Sequence, residues 1–199
     1  MGPRGSVMRI AIIPGHGHRQ DRRGRYRWDP GAVSDMGQEA SIVRALAARV
    51  RQWGGARVSV HDSDADGPWT YTQRRQMAHE AIGRGPGVVC HLHVNAGGGS
   101  YLLGMHDPRS STGAAYARQW CEQIGDGFRM SVRSVKCIPA TRSTWNNAAN
   151  LIEPSYSATP AGVAAVLLEI GFIDNPDHAR LLTGEAIDTH AAAILSAWR

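Results

Sequence analysis

Four short stretches of the chain hold side chains able to do chemistry. "PGHG" carries His16, "GQEAS" carries Glu39, "HLHVNAG" carries His91, His93 and Asn95, and "LLEIGF" carries Glu169. Two imidazoles and a carboxylate are a common ligand set for a catalytic zinc ion, with a fourth position left for water. A second carboxylate beside such a set is what metal-assisted hydrolysis uses as general base and proton shuttle. His16, Glu39 and His93 as ligands, with Glu169 as base, therefore form a coherent group. On spacing alone this reading competes with the ordinary one, in which scattered His and Glu are surface residues or satisfied core residues.

Such side chains act only if the chain brings them together, so the elements that carry them matter. "MRIAIIPGHG" reads as a short apolar strand running into a Gly-rich loop at Pro14–Gly17. The polar, basic segment "HRQDRRGRYRWDPGA" that follows reads as a surface loop. From Asp35 the pattern turns helical: Met36, Ala40, Val43, Leu46, Ala47, Val50 and Trp53 recur at steps of three and four, and Gly54–Gly55 stop the helix. Glu39 stands four residues before Val43 and so points along the apolar face. An unpaired carboxylate there is costly, and a cation would remove the cost. "ARVSVHD" alternates like a strand, "TYTQRRQMAHEAIGR" reads as a helix and "PGVVCHLHVNAG" as a buried strand. Strand alternation puts His91, His93 and Asn95 on one face.

Further on, "YLLGMH" reads as a strand and "STGAAYARQWCEQIGDGF" as a helix. Asn, Ser, Thr and Pro crowd residues 129–162, which read mostly as loop. "VAAVLLEIGF" is an apolar run fit for a central strand; Pro176 starts a short helix and Glu185–Trp198 a last amphipathic one. The expected fold is α/β in a single domain: a mixed, mostly parallel twisted sheet of about six strands with helices on both faces. In such sheets ligands sit beyond the carboxyl ends of the strands, where His16, His91, His93, Asn95 and Glu169 all fall. The domain is expected to span residues 8–199, with residues 1–7 as a short arm or an expression remnant.

Composition narrows the function classes. With 199 residues, 42% of them hydrophobic, the chain is long enough to bury a sizeable core. No run approaches the roughly 18–20 apolar residues of a membrane span. "MGPRGSVMRIAIIPGHG" lacks the layout of a secretory signal, so the expected location is cytoplasmic. Cys90, Cys121 and Cys137 form no C-x-x-C pair and are odd in number, which argues against a disulfide framework or thiolate zinc site and for idle thiols. The net charge is +5, and every basic residue except Lys136 is Arg. An anionic partner suits that balance. No nucleic-acid-binding motif accompanies it, so nucleic acid is not the expected partner.

The order of the four stretches adds a resemblance. "IIPGHG", then "DPGA" at Asp29–Ala32 followed by "GQEASIVRALAARV", then "HLHVNA", then "LLEIGFIDNPDHARLL" resemble, in order, the conserved blocks of the zinc-dependent N-acetylmuramoyl-L-alanine amidases of the amidase-3 family. The resemblance runs from about residue 8 to residue 198. It implies zinc ligands at His16, Glu39 and His93 and a catalytic Glu169; Asn95, on the site wall, and Arg74 are read as substrate-binding residues. It implies hydrolysis of the amide between the lactyl group of N-acetylmuramic acid and L-alanine in peptidoglycan. The chain departs from the family pattern in the Arg-rich insertion between the first two blocks and in His91, where the family more often has Ser.

Several expectations follow from combining the two readings. His91 reads as a supporting or core residue, and His18 as loop decoration. His61, His79, His106, His178 and His190 have no nameable partner, with His190 packed on a helix face. Arg19–Trp28 is either a solvated insertion or a clamp for anionic wall polymers or stem-peptide carboxylates, its arginines acting as fork donors. The setting is a phage lysis enzyme or a bacterial wall-remodelling one. Another zinc peptidase trimming stem peptides, or a non-catalytic wall-binding module, stand as alternatives.

Overall fold

A computed structural model describes residues 8–20, 23, 25–63, 70–131, 133–144, 146–158 and 163–198. The expected arm at 1–7 lies outside them, as do residues 21, 22 and 24 of the expected clamp at Arg19–Trp28. The main sheet is built from β1 (Arg9–Pro14), β6 (Val58–Val60), β7 (Gly87–Asn95), β8 (Leu102–His106), β9 (Val135–Pro139) and β10 (Val163–Phe172). Between β1 and β6 lie two small hairpins, β2 (Gly17–Gln20) with β3 (Tyr26–Asp29), and β4 (Val33–Ser34) with β5 (Gly37–Gln38). The helices are α1 (Glu39–Gly54), α2 (Tyr71–Ile82), α3 (Ser111–Phe128), α4 (Asn146–Ala158) and α5 (Gly184–Ala197). Among the described residues no helix is long and apolar enough to cross a membrane.

The six strands run in the order β6-β1-β7-β10-β8-β9. Every neighbouring pair is parallel except β10 with β8. This is the expected α/β architecture, a mixed, mostly parallel sheet of six strands. Its side chains sort by the two-residue period of a strand. Ile10 and Ile12, Val88, Cys90, Leu92 and Val94, and Val166, Leu168 and Ile170 face α1, α3 and α5 in the largest core cluster. Ala11, Ile13 and Val89 pack on Ala78 and Ile82 of α2, while Ala165 and Leu167 pack on Ala148, Ala149 and Ile152 of α4. Each fully buried Leu or Ile contributes roughly 1.5–3 kcal/mol. That drive holds β7 and β10 in one register and, with it, the polar residues at their ends.

Local signals account for the starts of two helices. Thr70 and Gln73 form a capping box at the start of α2, and Ser110 caps α3 by accepting the Gly113 N–H. Three expectations need correction. The helix expected from Asp35 begins at Glu39, because Gly37, at φ +119°, turns the chain into the β4–β5 hairpin first. Within the expected loop at 18–32, residues 18–20 and 26–29 pair as β2 and β3, an alternation hidden by charged residues on an exposed ribbon. The expected loop at 129–162 contains the edge strand β9 and the helix α4. Pro154 and the Asn- and Ser-rich composition mask α4, while Ala148, Ala149 and Ile152 supply its apolar stripe.

Candidate active site

β1 delivers the chain to a sharp turn at Gly15–Gly17. His16 takes a left-handed backbone conformation there, φ 57°, uncommon for a residue with a Cβ. The turn is held by the Tyr71 hydroxyl, which accepts the His16 N–H at 2.9 Å, and by the Arg44 guanidinium, 3.4 Å from the Gly15 and His16 carbonyls. Gly15 is required by what lies above it: a Cβ would stand 2.6 Å from the His93 imidazole.

Glu39, the first residue of α1, is 3% exposed. Two backbone donors fix its carboxylate: Ala32 N–H to Oε2 and Val94 N–H to Oε1, each at 3.0 Å. Both histidines converge on it, His16 Nε2 at 3.2 Å from Oε2 and His93 Nδ1 at 2.9 Å from Oε1. One ligand-type atom from each of the three residues lies within 4.8 Å of the others. Gly31 closes the floor, where a Cβ would meet Glu39 Oε2 at 2.5 Å and the His16 ring at 2.7 Å. His16 Nδ1 faces Asp29 Oδ2 at 3.1 Å, which leaves Nε2 directed at Glu39.

The electrostatics follow from this packing. Burial alone would raise the Glu39 carboxyl, but the hydrogen bonds and charges of His93 and His16 outweigh it and hold the pKa well below the usual carboxylate range. Burial pulls His16 down; Glu39 and Asp29 more than reverse this and raise it. Asp29 is lowered: partial burial opposes, and the His16 hydrogen bond, the Gly31 N–H and the neighbouring positive charges prevail.

Glu169 on β10 is the register partner of His93 on β7. Its Oε2 is buried and has no hydrogen-bond partner among the described residues. Burial, reinforced by the Glu39 charge and partly offset by His16, pushes its carboxyl up to about 8. Glu169 and the His16, Glu39, His93 group line one cleft of about 620 Å³, together with Asn95 and Arg19. The opposite wall comes from α4, through Asn147, Asn150 and Leu151.

The structure thus brings together His16, Glu39, His93, Glu169 and Asn95. Arg74 it does not: the side chain is 2% exposed, donates to the Pro14 carbonyl at 2.7 Å, and stacks 4.1 Å from the Tyr71 ring centre. Arg74 braces the turn that carries His16 from behind and is not among the residues that line the cleft. His91 is fully buried with Nε2 3.0 Å from Ser155 Oγ, whose hydroxyl donates to the Leu151 carbonyl. It fastens α4 to the sheet. His190, His178, His106 and His61 likewise find structural partners in the Leu181 carbonyl, the Phe172 N–H, the Asp107 carbonyl and Ser59.

Sequence reasoning missed Asp29, Tyr71 and the α4 wall. Asp29 opens the quoted "DPGA" stretch, a signal that was visible without a role attached. Tyr71 and the α4 residues had no local signal, since their contribution depends on contacts more than 50 residues apart in the chain.

The family described as N-acetylmuramoyl-L-alanine amidase, Amidase_3, matches residues 10–197. No curated protein matches the sequence. Among solved structures, the chain is similar to an N-acetylmuramoyl-L-alanine amidase from Clostridium difficile 630 (16% identity, 96% of this chain and 94% of that one, TM-score 0.67). It is similar to AmiC2 of Nostoc punctiforme (19% identity, 98% and 96%, TM-score 0.67). It also resembles the catalytic domain of the CD27L endolysin targeting Clostridia difficile (24% identity, 95% and 97%, TM-score 0.57). At these identities the structures establish the fold.

Proposed function

The chain belongs to the N-acetylmuramoyl-L-alanine amidase family Amidase_3, and on that basis we propose that it hydrolyses the lactyl–L-alanine amide of peptidoglycan with a zinc ion held by His16, Glu39 and His93. Residues 8–199 would form the catalytic domain. Two imidazoles and a carboxylate suit zinc, and three candidate ligand atoms converging in a buried pocket fit such an ion. When bound, zinc would polarise the scissile carbonyl, acidify a water to a pKa near 7, and by its charge favour the ionised form of Glu169.

The chain's own residues do the rest. Glu169 takes the proton of the attacking water and delivers it to the departing alanine nitrogen. Asp29 accepts from His16 Nδ1–H, which sets the tautomer and leaves Nε2 as the ligand atom. The two backbone N–H donors hold the Glu39 carboxylate in its orientation. Asn95, whose Oδ1 accepts the Ala96 N–H at 2.8 Å, offers its amide NH₂ to a substrate carbonyl.

The observation that carries this reading is Glu169: a carboxyl whose buried Oε2 has no hydrogen-bond partner among the described residues, in register with His93 and on the same cleft. Mass spectrometry of digested peptidoglycan tests it. Stem peptides with a free N-terminal alanine beside intact glycan strands support the amidase. Cuts within the stem would make it a stem-trimming zinc peptidase, and an untouched wall a wall-binding module. We place the activity in cell-wall lysis in the manner of an endolysin. Clearing of bacterial suspensions by added protein supports that setting; digestion of purified wall without clearing points to remodelling.

Arg19 lines the cleft and pairs across the hairpin with Arg27, so both stand on one face of the ribbon. This favours a role for Arg19–Trp28 in holding anionic wall polymers or stem-peptide carboxylates near the site.

A further inference from the structure

On the opposite face of the sheet, α3 and β9 bring two cysteines together. Gly104 of β8 is the register partner of Cys137 on β9, about one strand spacing of 4.8 Å away. Cys121 of α3 lies directly over Gly104, with Sγ 3.1 Å from where a Gly104 Cβ would stand. Each sulfur touches the backbone of the element that carries the other. Cys121 Sγ is 3.3 Å from the Lys136 carbonyl, and Cys137 Sγ is 3.9 Å from the Ala114 carbonyl. The absence of a side chain at Gly104 is what lets α3 approach this closely.

Both cysteines are free thiols, Cys121 8% exposed and Cys137 half-buried. Both line an open cavity of about 500 Å³ that also contains Arg118 and Glu122. A hydrogen bond from Cys121, aided by the Arg118 charge, lowers the Cys137 thiol despite partial burial, whereas Cys121 is raised. Of the two sulfurs, the half-buried Cys137 is the one an incoming disulfide reaches first, with the more deeply buried Cys121 behind it, the arrangement that disulfide exchange needs.

We propose that Cys121 and Cys137 form a reversible dithiol–disulfide site that reacts with small-molecule disulfides entering this cavity. The Cys137 thiolate attacks one sulfur of the incoming disulfide, breaking its S–S bond and releasing one thiolate, which takes up a proton. Cys121 then loses its proton to solvent and attacks Cys137 Sγ, displacing the second small thiolate. The protein dithiol is oxidised by two electrons, and the small disulfide is reduced to two thiols. The product staples the edge strand β9 to α3.

The test equilibrates the whole protein in buffers of rising glutathione disulfide to glutathione ratio, acid-quenches, alkylates after denaturation and maps peptides by mass spectrometry. Wild type should fall from three alkylatable thiols to one, with residues 121 and 137 in one linked peptide that dithiothreitol separates. Cys121→Ser should stop with glutathione on Cys137, and Cys137→Ser should stay largely unmodified. Cys121 and Cys137 alkylated separately in wild type at every ratio would overturn the proposal, as would persistent glutathione on wild-type Cys137. The linked peptide is read in wild type, so a variant that failed to fold would leave the decision intact.

Discussion

Glu169 and His93 are register partners on adjacent parallel strands, β10 and β7. Two residues 76 positions apart therefore share one face of the sheet at neighbouring points, and the cleft has a carboxyl beside its histidine cluster. The apolar residues on the opposite face of the same two strands hold this register, so packing on one side sets chemistry on the other.

Removing the proton-accepting group should separate binding from turnover. Glu169→Gln is expected to keep zinc at wild-type stoichiometry while amidase turnover falls by about 10²–10⁴-fold. Metal analysis alongside peptidoglycan digestion checks this; near-normal turnover would remove Glu169 from the mechanism.

The raised Glu169 carboxyl also predicts how stability depends on pH in the metal-free protein. Its folded value of about 8 lies above the ordinary 4.5, so between these the folded state holds the proton more tightly. Stability from this group is thus intact at low pH and lost as pH rises from about 4.5 toward 8. The melting temperature of Glu169→Gln relative to wild type should accordingly increase from pH 5 to pH 8. A constant difference would show that the carboxyl is not destabilised by burial.

His93→Ala should lose zinc outright. Asp29→Asn should keep the ligand set but weaken zinc affinity by about 10–100-fold, because the partner that orients His16 is altered. Chelator competition measures both, and unchanged affinity in either variant would contradict the role assigned to that residue.

Gly31→Ala tests the floor of the site. The added methyl would strain a backbone at φ +67° and press on Glu39 Oε2. Loss of at least about 1 kcal/mol of stability, with weakened zinc binding, is expected in denaturant unfolding and metal titration.

Wall binding through the hairpin is electrostatic if Arg19 and Arg27 contact anions. Arg19→Gln with Arg27→Gln should reduce sedimentation with purified wall at low salt and flatten its salt dependence. Identical binding curves for variant and wild type would return the hairpin to a solvated insertion.

Much of this protein was legible in its sequence. Strand alternation in "VVCHLHVN" put His93 and Asn95 on one face, and the apolar steps of α1 placed Glu39 toward the interior. The order of four blocks carried the resemblance to the amidase-3 family, which the family match over residues 10–197 bears out. These features reside in local periodicity and turn chemistry, which a chain carries wherever it folds.

What only the tertiary structure decided depends on contacts between distant segments. It withdrew Arg74 from the cleft and turned it to the Pro14 carbonyl, and set Asp29 against His16. It raised α4 from a stretch that reads as loop and fastened it to the sheet through His91 and Ser155. It also brought Cys121 and Cys137 to either side of Gly104. None of these pairings leaves a periodic trace, because each is fixed by the register and packing of elements whose partners the local chain does not specify.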